Sequence, residues 1–133
     1  MSDRWCSNTP RDVATSLIQL ARLARMMLHN LVQLDGDSQQ NLETWDTALR
    51  DLLSMEALEV HLDSDMPEPD ENNWGIWQIW NLGRGVAKYV VCKTLQKPHI
   101  RERLHRHGWD YDNQSPKYHY DIARELWGHL VPA

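Results

Sequence analysis

An apolar stripe near the beginning of the sequence constrains the fold more than any other feature. Its members recur at alternating spacings of four and three residues: Val13, Leu17, Leu20, Ala24, Met27, Leu31 and Leu34. This spacing places them on one face of an α-helix, so it predicts a helix that packs that face against other elements. Thr9 and Pro10 precede the stripe and form a helix start signal, because threonine caps a first turn and proline fits within it. Asp35-Gly36-Asp37 ends the stripe.

Two further helical patterns follow this turn. Residues 38–65 predict a second helix with a kink at Ser54, and its apolar face includes Leu42, Trp45 and Leu49. Residues 74–95 predict a third helix. Pro98 interrupts the pattern there, because the residue before a proline avoids helical geometry.

The last part of the chain predicts two more helices. Pro98 can begin a short fourth helix through His107, and Gly108 ends it. Ser115-Pro116 repeats the start signal of the first helix and predicts a final helix, with an inward face made by the following residues: Tyr118, Ile122, Leu126 and Trp127. No segment alternates in the manner of a strand. The sequence therefore predicts an all-α fold, a single-domain bundle of four to five helices.

Length and composition set the domain organisation that we expect. A chain of 133 residues with 41% hydrophobic content can bury a core without disulfides or metal, so we expect one helical domain over 1–133. Within it, residues 1–9 are expected to be flexible and residues 63–73 to form an acidic loop. No secretory signal follows Met1 and the two cysteines, Cys6 and Cys92, are far apart. We therefore expect a cytoplasmic protein with free thiols and no membrane association.

The charges are segregated along the chain. The net charge is -5, but segment 35–71 has twelve acidic residues against one base, Arg50, for a local charge of -11. Segment 84–107 has seven bases against one acid, Glu102, for a local charge of +6 before any histidine is protonated. One interpretation is that the two segments pack together and neutralise each other. The other is that they form separate acidic and basic surfaces for partners.

Motifs for metal, cofactor and nucleophile chemistry are absent from the sequence. His105 and His107 are two residues apart, which points them in different directions on a helix, and there is no CxxC or HExxH pattern. Cys92 lies in an apolar helical run, where a buried and inert thiol is usual. Gly83 and Gly85 lack the remainder of a phosphate-binding loop. We expect no metal site and no cofactor.

One pair of residues suggests an enzymatic alternative. Arg101 and His107 are separated by five residues, and this Arg-x(4–6)-His pattern resembles the signature of HEPN ribonucleases. That family consists of small all-α domains, usually paired, that cleave RNA without a metal. The resemblance implies that His107 acts as general base on a 2′-hydroxyl while Arg101 stabilises charge on the phosphate. Glu102 departs from the small polar residue that commonly follows the arginine.

The basic residues also support a non-catalytic interpretation, in which they bind nucleic-acid backbone or an acidic partner. They are Arg84, Lys88, Lys93, Lys97, Arg101, Arg103 and Arg106. Tyr89 and Trp109 would add stacking if the bases were single-stranded. The same residues of 84–107 could instead contact the acidic 35–71 of another copy, which would build a homo-oligomer head to tail.

The tryptophans complete the set of candidate residues. Trp74 and Trp77 lie three apart at the start of the third predicted helix, and together with Trp109 they are candidates for protein binding, since exposed tryptophan often anchors an interface. Core packing is the alternative for such a stripe. The sequence as a whole favours a non-enzymatic helical interaction protein, with segregated acidic and basic surfaces, that docks onto a protein or a nucleic-acid-bound assembly. The metal-independent ribonuclease is the competing hypothesis.

Overall fold

The protein is an all-α bundle of helices, as the sequence predicts. A computed structural model describes residues 15, 18, 19, 22, 25, 31–55, 58–65, 67–70 and 72–127. Within these residues there is no strand, and the helices with defined ends are α1 (Gln39–Ser54), α2 (Val60–Asp63), α3 (Trp74–Lys93), α4 (Pro98–Arg106) and α5 (Pro116–Trp127). Residues 15, 18, 19, 22 and 25 are also helical and belong to the first predicted helix. Its start signal at Thr9 and the flexible segment expected at 1–9 lie outside the described residues.

Several helix ends follow the sequence signals. Ser38 caps α1, because its Oγ accepts a hydrogen bond from the backbone N–H of Asn41 at 3.1 Å. Pro98 begins α4, and Gly108 follows its end with a φ of 76°, a left-handed conformation that glycine adopts without strain. Pro116 begins α5. The predicted starts of the last two helices are therefore confirmed.

Segment 31–38 is not helical, although the apolar stripe predicts helix as far as Leu34. The backbone N–H of Leu34 donates to the carbonyl of Thr94 at 2.9 Å, and Gln33 Nε2 donates to the carbonyl of Lys93 at 2.8 Å. These bonds satisfy carbonyls at the end of α3 that its own helix leaves without partners. Leu34 is still fully buried. The stripe thus identifies a core residue correctly but places the helix end too late.

The second predicted helix is divided into α1 and α2. Helix α1 ends at Ser54 with Met55 as its C-cap, and one further helical turn begins at Val60. The break occurs at the serine where the sequence predicts a kink, but it separates two helices instead of bending one. The buried face of α1 consists of Leu42, Trp45, Leu49 and Leu53.

Helix α5 is the centre of the bundle, because it packs against α1, α2, α3 and α4. Its buried residues are Pro116, His119, Tyr120, Ala123 and Trp127. The inward face predicted from the sequence also packs against the core: Trp127 is buried, and Tyr118, Ile122 and Leu126 are partly buried there. Because neighbours contact the helix on several sides, burial extends beyond one narrow stripe.

A polar network joins α1, α2 and α5 at the edge of the core. The Tyr120 hydroxyl donates to Asp46 and accepts from Arg50 Nε at 3.0 Å, and the Arg50 guanidinium makes two hydrogen bonds to Asp63, at 2.8 and 3.3 Å. Burial, together with the bond to Asp46, raises the pKa of Tyr120 to about 12. The Arg50 guanidinium lowers the pKa of Asp63. The single base of segment 35–71 is therefore engaged within that segment.

Gly36 lies directly beneath the indole of Trp127. Its φ is 70°, and a Cβ added there would lie 2.6 Å from Trp127 Cδ1, which is closer than carbon atoms approach. The Oδ1 atom of Asn41 fixes this turn by accepting the backbone N–H groups of Asp35 at 2.7 Å and Gly36 at 3.2 Å. Glycine is required here both for the backbone conformation and for the space.

Candidate functional site

The acidic and basic segments share the core of the bundle, but few of their charged side chains pair with each other among the described residues. Among the ion pairs of the described residues, only the one between Asp35 and Lys97 joins segment 35–71 to segment 84–107. His99 reinforces this contact, since its Nε2 lies 2.6 Å from the carbonyl oxygen of Asp35. The remaining charges of the two segments do not pair across the bundle in the part of the chain that the structure describes. Among these residues, direct charge pairing between the two segments is therefore limited to the contact of Asp35 with Lys97.

Most of the seven predicted basic residues are held by aromatic rings instead of carboxylates. Lys97 pairs with Asp35, and Arg106 pairs with Glu102 one turn away on α4. The other five make no ion pair with the described residues, and each lies over an aromatic ring. The distances from Arg Cζ or Lys Nζ to the ring centroid are 4.3 Å for Arg84 over Trp80, 5.2 Å for Lys88 over Tyr111, 5.3 Å for Lys93 over Tyr89, 5.1 Å for Arg101 over Trp109 and 5.1 Å for Arg103 over Trp127. A ring orders a cation without cancelling its charge.

Three of these cations surround exposed tyrosines. Tyr111 is 48% exposed, and its ring centroid lies 5.2 Å from Lys88 Nζ and 5.7 Å from Arg101 Cζ. Tyr89 is 40% exposed, and the ammonium of Lys93, one helical turn further along α3, lies over its ring. We call these five residues the Tyr111 surface. It combines positive charge with exposed ring faces, which is the composition that binds single-stranded nucleic acid.

Two carboxylates border this surface. Asp110 and Asp112 flank Tyr111 in the turn after α4, and both are exposed. Asp110 Oδ1 accepts the backbone N–H of Asp112 at 3.0 Å, which is a turn-stabilising role. The negative charges of Asp110 and Asp112 would repel an anionic partner, whereas the positive charges of Lys88 and Arg101 would attract it.

Arg101 has a structural role as well as a surface position. Its Nε donates to the carbonyl of Leu95 at 2.7 Å and its guanidinium donates to the carbonyl of Cys92 at 3.3 Å, so it caps the end of α3 from α4. Arg103 acts similarly toward α5 by donating to the carbonyl of Leu126 at 2.9 Å. Cations near the ends of helices also interact favourably with the helix dipole. Substitution of either arginine would therefore change stability as well as charge.

The two residues of the ribonuclease hypothesis have different surroundings. Arg101 is engaged with α3 and with the rings of Trp109 and Tyr111. His107 is exposed at the end of α4, with Nδ1 3.0 Å from the carbonyl oxygen of Arg103. A carbonyl only accepts, so Nδ1 carries the proton in this contact and Nε2 is the basic nitrogen. In the part of the chain that the structure describes, the Arg101 and His107 side chains make these separate contacts and none with each other, and their catalytic roles stay a hypothesis.

Trp109 is a core residue, and its predicted use as an exposed protein-binding anchor is wrong. It is 5% exposed, and its Nε1 donates to Nδ1 of His119 at 2.8 Å. The other ring nitrogen of His119 donates to the carbonyl of Asn113 at 2.7 Å. Both nitrogens are satisfied in the neutral ring, and burial lowers the pKa of His119. Trp109 therefore lacks the exposed ring face that the predicted stacking requires, whereas Tyr111, two residues later, is 48% exposed.

The other two predicted anchors are at the beginning of α3. Trp74 is 55% exposed. Trp77 is half-buried, and its Nε1 donates to Glu68 Oε1 in the acidic loop at 2.9 Å. Trp74 thus retains an accessible face, whereas Trp77 fixes the loop against the helix. Their use in protein binding stays a prediction.

A cleft lies between α2, α3 and the loop that precedes α5. Its volume is about 290 Å³, and we call it the Trp80 cleft after the indole at its wall; its lining residues are His61, Ser64, Asp65, Trp80, Arg84, Asn113, Gln114, Ser115 and Pro116. His61 is buried, and this burial, with the charge of Arg84, lowers its pKa. Nε1 of Trp80 is buried without a hydrogen-bond partner among the described residues. Such a donor is unusual in a folded protein.

The structure also bears on metal, thiol and membrane chemistry. No group of three or more His, Cys, Asp or Glu side chains in the described residues is arranged to hold a metal ion. Cys92 is buried, and burial raises the pKa of its thiol to about 11; Cys6 lies outside the described residues. None of the helices that the structure describes is long and apolar enough to span a membrane.

Comparison of the chain with models of known protein families, with curated proteins and with solved structures finds no match. Functional inference therefore depends on the residues themselves. The sequence reasoning identified the cations but missed Tyr111 and the Trp80 cleft. The "WDYD" turn contained a signal for Tyr111, since an aromatic residue between two acids in a turn is usually exposed. The cleft had no such signal, because three separate segments form it.

Proposed function

We propose that the protein is a non-enzymatic interaction protein whose Tyr111 surface docks onto single-stranded nucleic acid. The observation that carries the proposal is the arrangement of Lys88, Lys93 and Arg101 around exposed tyrosine rings without carboxylate partners among the described residues. The cations would neutralise successive phosphates, and the rings would stack on bases. The acidic segment 35–71 would remain free to face a protein neighbour in the same assembly.

The surface favours a flexible single strand over base-pair recognition in a duplex. Tyr89 and Tyr111 present ring faces, which unstacked bases can use whatever their identity. The basic residues come from both α3 and α4, so no single helix presents them for insertion into a major groove. We therefore expect binding with little dependence on overall sequence and a strong dependence on salt.

A salt titration tests this proposal. Three phosphate contacts on a single strand give a slope of about -2 in log affinity against log salt, so raising salt fourfold weakens binding about 20-fold. The double variant Lys88→Gln/Lys93→Gln retains one of the three contacts, and its loss over the same range is about threefold. Fluorescence anisotropy with a labelled 20-nucleotide RNA at 50 and 200 mM salt measures both values.

Arg106→Gln is the matched control. It removes one positive charge from an exposed site, but that charge already pairs with Glu102 on the same helix. We expect its salt dependence to equal that of the unmodified protein. The opposite pattern, with Arg106→Gln impaired and the Lys88/Lys93 double variant unaffected, would place binding elsewhere and refute the Tyr111 surface. Absence of binding at 50 mM salt would refute the nucleic-acid proposal as a whole.

The same RNA sample tests the metal-independent ribonuclease that the Arg101 and His107 pattern suggests. The protein is incubated with labelled RNA in the presence of EDTA, in parallel with His107→Ala. Intact RNA in both samples supports binding without catalysis. Cleavage that disappears in His107→Ala would establish the enzyme and overturn the non-enzymatic proposal.

A further inference from the structure

Trp80, which lines the Trp80 cleft, has a hydrogen-bond donor that the described residues leave without a partner. Trp80 Nε1 is buried without a partner among the described residues, and a buried N–H of this kind destabilises a fold because it has lost its hydrogen bonds to water. The indole forms one wall of a cleft of about 290 Å³, close to the lower end of the volumes that accommodate small ligands. An acceptor supplied from outside would satisfy this donor.

The lining of the cleft is polar and carries balanced charge. Arg84 is the one Lys or Arg of the lining and Asp65 its one carboxylate, while burial and the charge of Arg84 lower the pKa of His61. Ser115 Oγ donates to Asp65. An oxyanion would be attracted by Arg84 and repelled by Asp65, and a cation would experience the reverse. A neutral group that both accepts and donates hydrogen bonds matches this lining better than either ion.

The cleft is continuous with the Tyr111 surface in two ways. Arg84, in the cleft, and Lys88, on the surface, are one turn apart on α3 and therefore share a face. The loop after α4 contributes Tyr111 to the surface and residues 113–115 to the cleft. A strand that follows the surface would consequently pass the mouth of the cleft.

We propose that the Trp80 cleft receives one unstacked nucleobase from the single strand bound on the Tyr111 surface. This inference rests on the proposed function and adds a base-binding subsite to it. Trp80 Nε1–H donates to a ring nitrogen or carbonyl of the base, and Asp65 accepts from an amino or imino group. The Arg84 guanidinium supplies a stacking plane, a common partner of splayed bases.

The binding step includes a rearrangement of side chains. Trp80 Nε1 is covered in the free protein, so the groups around it must move before a base can reach it. Arg84 is a suitable movable group, since it is held by contact with the Trp80 ring and by a long hydrogen bond of 3.4 Å to Asn81. The indole proton of Trp80 therefore reports directly on base entry.

An abasic oligonucleotide separates this subsite from backbone binding. We compare a fully abasic DNA decamer with decamers that carry a single central adenine, guanine, cytosine or thymine. Both kinds retain the phosphates, whereas only the second can fill the cleft. We expect at least one base to raise affinity about 10-fold, within the range measured for one stacked base. Anisotropy with labelled decamers gives the ratio.

Trp80→Phe tests the role of the indole N–H, because phenylalanine keeps an aromatic ring and removes the donor. It should reduce the gain from the base about fivefold, as expected for one hydrogen bond, without changing affinity for the abasic decamer. Trp77→Phe is the matched control, since the Nε1 of Trp77 already donates to Glu68 outside the cleft. Gln114→Ala, at an exposed position of the lining, gives a second variant that leaves the core unchanged.

The outcomes distinguish this inference from the proposed function. If abasic and base-carrying decamers bind equally, the subsite is refuted and backbone binding stands. If the gain survives Trp80→Phe and Gln114→Ala but is lost in Tyr111→Leu, the base stacks on the surface and the subsite is again refuted. If no decamer binds, the proposed function fails and the inference fails with it.

Nuclear magnetic resonance tests base entry in the unmodified protein, without comparing the affinities of variants. In a 1H–15N spectrum the Trp80 indole signal, assigned by its absence in Trp80→Phe, should move downfield when a base-carrying decamer is added. The abasic decamer should leave it in place. A signal that is unchanged by every base-carrying decamer that binds would overturn the proposal.

Discussion

Replacement of Gly36 by alanine should destabilise the bundle strongly, and two other glycines allow the reason to be measured. Gly36 has a φ of 70°, and its missing Cβ would lie 2.6 Å from Trp127 Cδ1 and 3.1 Å from Cε2. Gly108 has a similar φ of 76° but has nothing within 4 Å of the added Cβ. Gly108→Ala therefore measures the cost of the backbone conformation alone.

The expected magnitudes follow from these surroundings. The left-handed conformation costs alanine about 1 kcal/mol at either position. At Gly36 the Cβ also meets an indole that is 2% exposed and has Arg103 over its ring, so the ring cannot move aside without disturbing the core. Overpacking of this kind adds about 2 kcal/mol. We expect a loss of about 1 kcal/mol for Gly108→Ala and about 3 kcal/mol for Gly36→Ala.

Gly85→Ala completes the series with a change of opposite sign. Gly85 lies within α3, and an added Cβ meets nothing within 4 Å. Alanine there should stabilise the protein by about 1 kcal/mol, because it restricts the unfolded chain and favours helix. Urea unfolding followed by circular dichroism measures all three variants. Equal losses for Gly36→Ala and Gly108→Ala would show that Trp127 does not lie on the 35–37 turn and would refute the packing described for the end of α5.

Three further predictions concern other parts of the bundle. The pKa of His119 is lowered in the folded protein from the usual value near 6.5, so the neutral ring should contribute fully to stability above pH 6.5, and this contribution should be lost as the pH falls below that value. Urea unfolding at pH 7.5 and 5.5 measures the difference, and equal stability at the two pH values would contradict the prediction. Arg101→Gln should lower the free energy of unfolding by about 2 kcal/mol because it removes the hydrogen bonds that cap α3. Arg106→Gln, at an exposed ion pair, should change it by less than about 0.5 kcal/mol. Thermal unfolding compares the two variants, and similar losses of stability would argue against the cap. In a Cys6→Ser background, Cys92 should react with a thiol reagent at pH 8 only as fast as the protein opens, because the thiol is buried and burial raises its pKa to about 11. Immediate reaction in the native state would show that the thiol is accessible and would contradict the prediction.

Much of the helical framework could be predicted from local sequence. The proline at the start of α5 and the Pro98 and Gly108 boundaries of α4 act through backbone geometry within a few residues, and the structure places the helix ends there. The buried face of α1 followed from its helical spacing in the same way. These features depend on neighbours in sequence, which is why the pattern alone is sufficient for them.

The errors arise where distant parts of the chain decide the outcome. The predicted helical turn at Leu34 is lost because the carbonyl of Thr94 offers its backbone a partner 60 residues away. Trp109 is buried because His119 supplies an acceptor for its N–H, and that pairing had no local signal. The Trp80 cleft and the proximity of Tyr111 to Lys88 and Arg101 likewise require the assembled bundle.

The contact of segment 31–38 with the end of α3 also has a consequence for folding kinetics. Helical bundles usually fold quickly because most of their contacts are local, but here the bonds from Gln33 and Leu34 to Lys93 and Thr94 close a loop of 60 residues. The length-dependent entropy of closing such a loop is about 3–4 kcal/mol, which must be overcome before the contact stabilises the chain. We therefore expect this contact to form after the transition state. Substitutions in segment 31–38 should then accelerate unfolding while leaving the refolding rate almost unchanged.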